Sequence, residues 1–327
     1  HDFLRRIRYD GLDALAMVRR RMMRRMAQQT TTTTATLDCD ASLFVSSGRN
    51  ARMSYKGERG YMPMLAFWDE LGVVVHDDFR NGNVSPGSEA LGFLKQTLAQ
   101  LPPEVTTVKV RSDSAWYQSD VLDFCADNGH AFCIGADQDE AVKQTIMAVS
   151  EDAWQPIHLC SDPADSEPTV REWACETVHT LNRSTRPYRL IVMRKERLQD
   201  DLFYGPYIYT AIITNMELPL EAQIAWYRHR GQCENRIKEL KWDFELRVLP
   251  SGDFFVNAVY LRIITLAYNL FVALKTLTLP EPYKALRLKT ILFRLLGLPA
   301  LIVHHARRLL LKLPRGHPQL AQFQALC

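Results

Sequence analysis

The chain has no Cys-x-x-Cys pair and no cysteine–histidine spacing of the kind that holds zinc. Its seven cysteines (39, 125, 133, 160, 175, 233 and 327) are scattered. An odd, dispersed set excludes a disulfide framework and fits reduced thiols in a cytosolic setting. Nothing at the start reads as a signal peptide, and residue 1 is His and not Met, so a natural beginning upstream is expected. A long uninterrupted apolar run is also missing. The most apolar stretch, Phe254 to Leu279, is broken by Asn257, Arg262, Asn269 and Lys275, which predicts a buried core helix and no membrane span. Net charge is only +3 over 327 residues. With 47% hydrophobic and 24% charged residues, the chain is expected to be a soluble globular protein of one large or two modest domains.

Local absences say more than the total. From Tyr283 to the end there is no acidic residue, while Lys284, Arg287, Lys289, Arg294, Arg307, Arg308, Lys312 and Arg315 appear. Between Glu151 and Glu167 there is no Lys or Arg. The first thirty residues hold eight arginines against Asp2, Asp10 and Asp13. Basic ends on a near-neutral chain fit a polyanionic partner, and solvated helix faces explain the counts equally well.

In order along the chain, residues 2 to about 28 carry apolar residues at helical spacing (Leu12, Leu15, Val18, Met22). The run Thr30 to Thr34 favours linker or extended structure. In the next segment, 35–42, Leu37, Cys39 and Ala41 alternate with Asp38, Asp40 and Ser42. That predicts a strand with two carboxylates on one face, costly unless a cation compensates. Two further strands over 52–80 make a meander, a loop follows at 80–87, and a helix at 88–101. Val105 to Val110 predicts a strand running into Arg111-Ser-Asp-Ser-Ala-Trp116. Asp113 then lies at a strand's carboxyl end, where open α/β sheets place their chemistry. A helix (118–128), a strand (131–135) and a helix (138–149) come next. Alternating runs at 171–179, 186–195 and 207–214 suggest an all-β insertion. After Leu218-Pro219, one helix is expected from about Leu220 to Phe244, with Tyr227, Arg230, Glu234 and Lys241 within roughly 60° around its axis. Glu234 and Lys238 make an i,i+4 pair, so a surface-stabilised helix is the plain alternative.

Asp40, Asp113 and Glu234 converge if that helix packs across the sheet. Three carboxylates without a His or Cys suit Mg²⁺ or Mn²⁺ and not zinc. Two such ions stabilise the attacking and leaving oxygens of phosphodiester cleavage. Carboxylates so clustered raise one another's pKa unless metal keeps them ionised. Arg230 and Lys241 would then touch neighbouring phosphates.

Tyr227-x-x-Arg230-x-x-x-Glu234-x-x-x-x-x-x-Lys241 resembles the Tyr-Arg-Glu-Lys signature of bacterial insertion-sequence transposases of the DDE type. Asp40-Ala-Ser42 resembles that group's first aspartate motif, with Asp38 a close rival for the role. Asp113-Ser-Ala-Trp116 resembles the second, with Ala for Gly and Trp for Phe. Ser54-Tyr-Lys-Gly, Asn81-Gly-Asn83, Thr214-Asn215, the helix 234–241 and Ala267-Tyr-Asn269 extend the likeness, which runs from about Leu37 to Leu311.

The resemblance implies a ribonuclease-H-like α/β fold, a mixed sheet with flanking helices interrupted by the β insertion. The expected division is a basic helical remnant (1–34), the first part of the core (35–150), the insertion (151–216), two helices completing the core (217–280) and a basic tail (281–327). It further implies two Mg²⁺ or Mn²⁺ ions on Asp40, Asp113 and Glu234, and DNA contacts from Tyr227, Arg230, Lys241, Lys238 and Arg236. Double-stranded DNA, as transposon ends and target, would be cut through a hairpin and joined by a homodimer that synapses two ends in the bacterial cytosol or nucleoid. Trp154 or Trp173 could stack a flipped base. The region upstream of the core that usually helps recognise ends in this group is expected to lie largely outside this sequence. Two other functions fit the same residues: a nuclease of this fold that cuts without joining, and a domesticated or non-catalytic DNA-binding protein.

Overall fold

The computed structural model describes residues 2–7, 9–157, 171–197, 206–297, 299–305, 308–314, 316, 320 and 323. Most of the acidic stretch at 151–167, together with Cys160, Arg307, Arg315 and Cys327, lies outside them. Helices α1 (Asp2–Arg6) and α2 (Tyr9–Thr30) open the chain. Thr31, at φ 52°, turns it into β1 (Thr34–Ala41), so the threonine run is a helix stop followed by a strand start. Then come β2 (Phe44–Val45), β3 (Arg52–Met53), β4 (Arg59–Tyr61), β5 (Met64–Trp68), β6 (Val73–Asp78), α3 (Ala90–Gln100), β7 (Thr107–Ser112), α4 (Ser119–Asp127), β8 (Ala131–Gly135) and α5 (Glu140–Met147). The second half holds β9 (Gln155–Pro156), β10 (Glu172–Thr180), β11 (Pro187–Glu196), β12 (Tyr207–Thr214), α6 (Leu220–Arg228), α7 (Gly231–Trp242) and α8 (Phe254–Leu277). Short helices α9 (Glu281–Lys284) and α10 (Leu288–Ile291) lead to a hairpin, β13 (Leu301–His305) and β14 (Arg308–Lys312).

Nine strands form one mixed sheet in the order β6-β5-β1-β7-β8-β12-β11-β10-β9. Strands β1, β7 and β8 are parallel neighbours, with β5 antiparallel to β1 and β12 antiparallel to β8. Every residue of β5 is buried, as a strand covered on both faces requires. The three alternating runs of the expected insertion are all strands. They extend the central sheet through the pairing of Ile212 with Gly135 and Ile213 with Ile134, rather than standing apart from it. Two of the strands over 52–80 also differ from expectation: β3 and β4 join β2 in a separate three-stranded sheet.

The apolar helix α8 is long and apolar enough to cross a membrane by length and composition. Its four polar interruptions instead bind protein. Asn269 takes both backbone groups of Val74, accepting from the amide and donating to the carbonyl at 2.7 Å each, which closes edge strand β6. Asn257 does the same for Ser251, and Lys275 donates to the Leu286 carbonyl at 3.1 Å. Arg262 reaches Asp77 at 2.8 Å.

Asp77 is fully buried and also pairs with Arg19 of α2, whose side chain is buried in turn. Arg19 therefore ties α2 to the core and is no polyanion contact. Arg24 pairs with Glu104, leaving Arg20, Arg21 and Arg25 exposed. Burial alone would raise the Asp77 carboxyl, but Arg262 and Arg19 outweigh it and hold it well below the usual range. Its contribution to stability is thus complete above about pH 4 and is lost as pH falls below that. Asp77→Asn should cost roughly 2 kcal/mol at neutral pH and flatten the acid limb of the thermal midpoint against pH.

Candidate active site on the carboxyl ends of β1 and β7

Period-two alternation puts Asp38 and Asp40 on one face of β1, and Arg111 and Asp113 on one face at the end of β7. Because β1 and β7 are parallel, Asp38 lies in register with Arg111. The deeper pair is an ion pair. Arg111 donates from Nε to Asp38 Oδ1 at 2.6 Å and from Nη2 to Oδ2 at 2.9 Å, with both residues buried. It also donates to Asp69 at 2.8 Å and to the Trp226 carbonyl at 2.6 Å. Burial lowers the Arg111 pKa, but the bonds and charges of Asp38 and Asp69 outweigh this and raise it. Asp38 is therefore paired with Arg111, and Asp40 is the more exposed of the two carboxylates.

The shallower pair is acid beside acid. Asp40 is partly exposed, and its pKa is raised to about 7, by burial first and then by Asp113, with Glu234 adding to it and Arg230 opposing. Lys241 feels the Asp40 charge as well. Asp40, Asp113, Glu234, Arg230 and Lys241 thus share one electrostatic neighbourhood.

The expected single helix 220–244 is two helices. Arg230 N–H reaches back to the Tyr227 carbonyl at 2.9 Å, a tight turn between α6 and α7, and the His229 ring is bonded to Asp69 at 3.1 Å. The break puts Glu234 in the first turn of α7, where the helix dipole favours a carboxylate. Cys233, Ile237 and Leu240 form the buried stripe of α7, which packs on β1. Glu234 accepts from Arg230 at 2.8 Å and not from Lys238, which is exposed. Asp113 Oδ1 accepts from Ala115 N at 3.1 Å and caps the 3₁₀ turn Ser114–Trp116. With both acids so held, no three His, Cys, Asp or Glu side chains among the described residues stand close enough together to hold a metal ion. The donor set remains all-oxygen, and a divalent cation would offset both the burial that chiefly raises the Asp40 pKa and the Asp113 charge that adds to it.

Tyr227 lies over Gly135. A Cβ at that glycine would sit 2.7 Å from the phenol oxygen and 3.0 Å from Ser114 N, so only glycine lets the ring reach the Asp113 turn. Burial pushes the Tyr227 pKa up to about 12, keeping the hydroxyl a donor. Lys241 donates to Ser42 Oγ at 2.8 Å and the Leu43 carbonyl at 3.0 Å, its ammonium 4.7 Å from the Phe44 ring centre.

Two sequence expectations change. Arg236 is bound to Asp69 at 2.7 Å and lies 3.6 Å from Asp38, so it braces α7 and is not free for DNA. Trp154 and Trp173 face the Arg194 guanidinium, at 4.3 and 5.4 Å, and Arg194 is clamped by Glu151. These rings are packed. Reading residues singly missed Arg111, Asp69 and Gly135. The one available signal was Arg111 two residues before Asp113, matching Asp38 two before Asp40.

No curated protein matches the chain. Among solved structures it is similar to a piggyBac transposase in a synaptic complex with hairpin DNA, at 11% identity and a TM-score of 0.46. That likeness covers 73% of this chain and 46% of the other, so this chain spans less than half of that transposase. A family model described as transposase DDE domain group 1 matches residues 3–327. On that match, spanning almost the whole sequence above the Asp40–Asp113–Glu234 neighbourhood, the chain belongs to the DDE transposase domain family.

Proposed function

We propose that this chain is the catalytic core of a DNA transposase, with Asp40, Asp113 and Glu234 as its metal ligands. The observation that carries this is the placement of Asp40 and Asp113 at the ends of two parallel strands, with Glu234 in the first turn of the helix packed on β1 and both acids raising the Asp40 pKa. The order β6-β5-β1-β7-β8, antiparallel then parallel, supports a ribonuclease-H-like scaffold. Mg²⁺ or Mn²⁺ bound by the three acids would supply Lewis-acid stabilisation of the phosphodiester oxygens and an activated hydroxyl. The protein's own part is positioning. Arg230, central to the acids, turns from Glu234 to a phosphate when the carboxylate is recruited. Tyr227 stays protonated and donates to a neighbouring phosphate oxygen. Lys241 fixes the start of the small sheet beside Asp40, and exposed Lys238 contacts the backbone further along. Water would first cleave a transposon end, and the freed 3′-hydroxyl would then attack, through a hairpin and finally in target DNA. We place the reaction in a homodimer with two DNA ends, in the cytosol of a bacterium carrying the element.

The test is nicking of plasmid DNA bearing the gene's own flanks, in Mg²⁺, Mn²⁺ and chelator. Site-localised, metal-dependent nicks lost in Glu234→Gln are expected, together with joined products when target DNA is added. Nicks without joining would favour a nuclease, and binding without nicks under every metal would favour a non-catalytic DNA-binding protein. In the same assay Gly135→Ala should cut the nicking rate by roughly 10- to 100-fold while costing about 1–3 kcal/mol of stability, because Tyr227 is displaced from the Asp113 turn.

A further inference from the structure

The three-stranded sheet β2-β4-β3 is unlike the rest of the surface. Its hairpin turn places Tyr55 and Lys56 at the tip. Gly57 N–H donates to the Ser54 carbonyl at 3.0 Å, Ser54 Oγ accepts from Lys56 N at 3.3 Å, and Gly57 supplies the positive φ of 76° that closes the turn. The base of the hairpin is rigid, since a Cβ on Gly82 would collide with the carbonyls of Gly60 and Arg52. The fold thus holds the tip on closely packed backbone.

Tyr55 is 67% exposed, and among the described residues its hydroxyl has no hydrogen-bond partner. The Lys56 ammonium lies 5.6 Å from its ring centroid. Nothing in the fold requires an aromatic there. Around it Arg49, Arg52, Lys56 and Arg59 are all exposed, and among the described residues none is ion-paired, against the single acid Glu58. Tyr55 also lines an open groove of about 530 Å³ that it shares with the 82–86 loop, the Asp113–Ala115 turn and Asp137. That loop is held by buried Arg80, which donates to the Pro86 carbonyl at 3.3 Å and to the Ser88 carbonyl just beyond it at 2.9 Å.

A rigid, exposed aromatic on a hairpin that carries exposed cations, lining a groove together with Asp113, is a stacking platform for a nucleic-acid base. We propose that Tyr55 stacks an unpaired base of the DNA end while Arg52 and Lys56 hold its flanking phosphates. This positions the strand against Asp113. The assignment rests on the DNA-processing reading above and adds the residue that engages the opened end.

The test uses the whole chain in chelator, so that no cleavage occurs. The probes are a blunt duplex and a duplex with a few unpaired bases at one end, the first of them 2-aminopurine. Wild type should quench 2-aminopurine fluorescence on binding. Tyr55→Ala should abolish the quenching and weaken binding of the unpaired-end duplex by roughly 5- to 100-fold, with blunt-duplex binding within about twofold of wild type. Tyr55→Phe should retain quenching and affinity. An unchanged quench in Tyr55→Ala, or equal loss on both duplexes, would overturn the proposal while leaving the functional reading intact. Wild type that binds neither duplex would overturn both. Because Tyr55 is exposed at a turn, an unchanged thermal midpoint is expected for each variant.

Discussion

Asp40→Asn should lower metal-dependent DNA nicking by roughly three orders of magnitude or more, yet make the metal-free protein more stable than wild type at about pH 8. The two effects share one cause. Burial and the nearby Asp113 raise the Asp40 pKa to about 7 from an ordinary 3.8, so the fold favours its neutral form. A raised pKa contributes stability that is complete below about pH 4 and is lost as pH rises through about 7. Above that, the wild-type carboxylate is charged against Asp113 and Glu234, at a cost on the order of 2–4 kcal/mol. Asn has no such charge. Thermal midpoints of wild type and variant should therefore coincide near pH 4 and separate by several degrees near pH 8. Mg²⁺ should close that gap by stabilising wild type alone. Equal midpoints at every pH would show that Asp40 is not in the acidic cluster.

The deeper pair on the same two strands predicts the opposite behaviour. Arg111→Ala should destabilise the protein by about 3–5 kcal/mol, seen as a lower urea midpoint at unchanged slope, because the buried Asp38 carboxylate loses both of its close bonds and keeps only the longer contact with Arg236 at 3.6 Å. It also frees the Trp226 carbonyl and one bond to Asp69, and so loosens the junction of α6 and α7. Burial would raise the Asp69 pKa, but Arg236 and Arg111 hold it below the ordinary value, so Asp69 depends on both. Removing both charges with Asp38→Ala and Arg111→Ala should restore part of the loss, since no lone buried charge remains. Should Asp38→Ala instead leave stability intact and abolish metal binding, the roles of Asp38 and Asp40 would be reversed.

What could be read from the sequence was whatever local periodicity encodes. Strand β1 with both aspartates on one face, β7 ending at Asp113, β8, and α8 with its four polar interruptions are all legible in single segments. The strands at 172–180, 187–196 and 207–214 were also legible as strands. Their joining the central sheet was not, because the pairing of Ile213 with Ile134 spans a separation that no local pattern records. The same applies to the break before Gly231. Helix propensity continues through His229, whose ring is bonded to the distant Asp69, while distant Arg111 holds the Trp226 carbonyl before the turn. The resemblance implied a DNA contact at Arg236, which is the partner of that same Asp69. Charges on one helix face do not reveal which acid from another strand meets them.

The most direct measurement of the central claim is anomalous scattering from crystals of the full chain soaked in Mn²⁺ at about pH 8, where Asp40 is ionised. At least one Mn²⁺ peak is predicted between the Asp40 and Asp113 carboxylates, with the Glu234 side chain withdrawn from Arg230 toward it and Asp38 still paired with Arg111. A Mn²⁺ bound at Asp38, or a cluster with no peak while Glu234 stays on Arg230 at saturating Mn²⁺, would contradict the account.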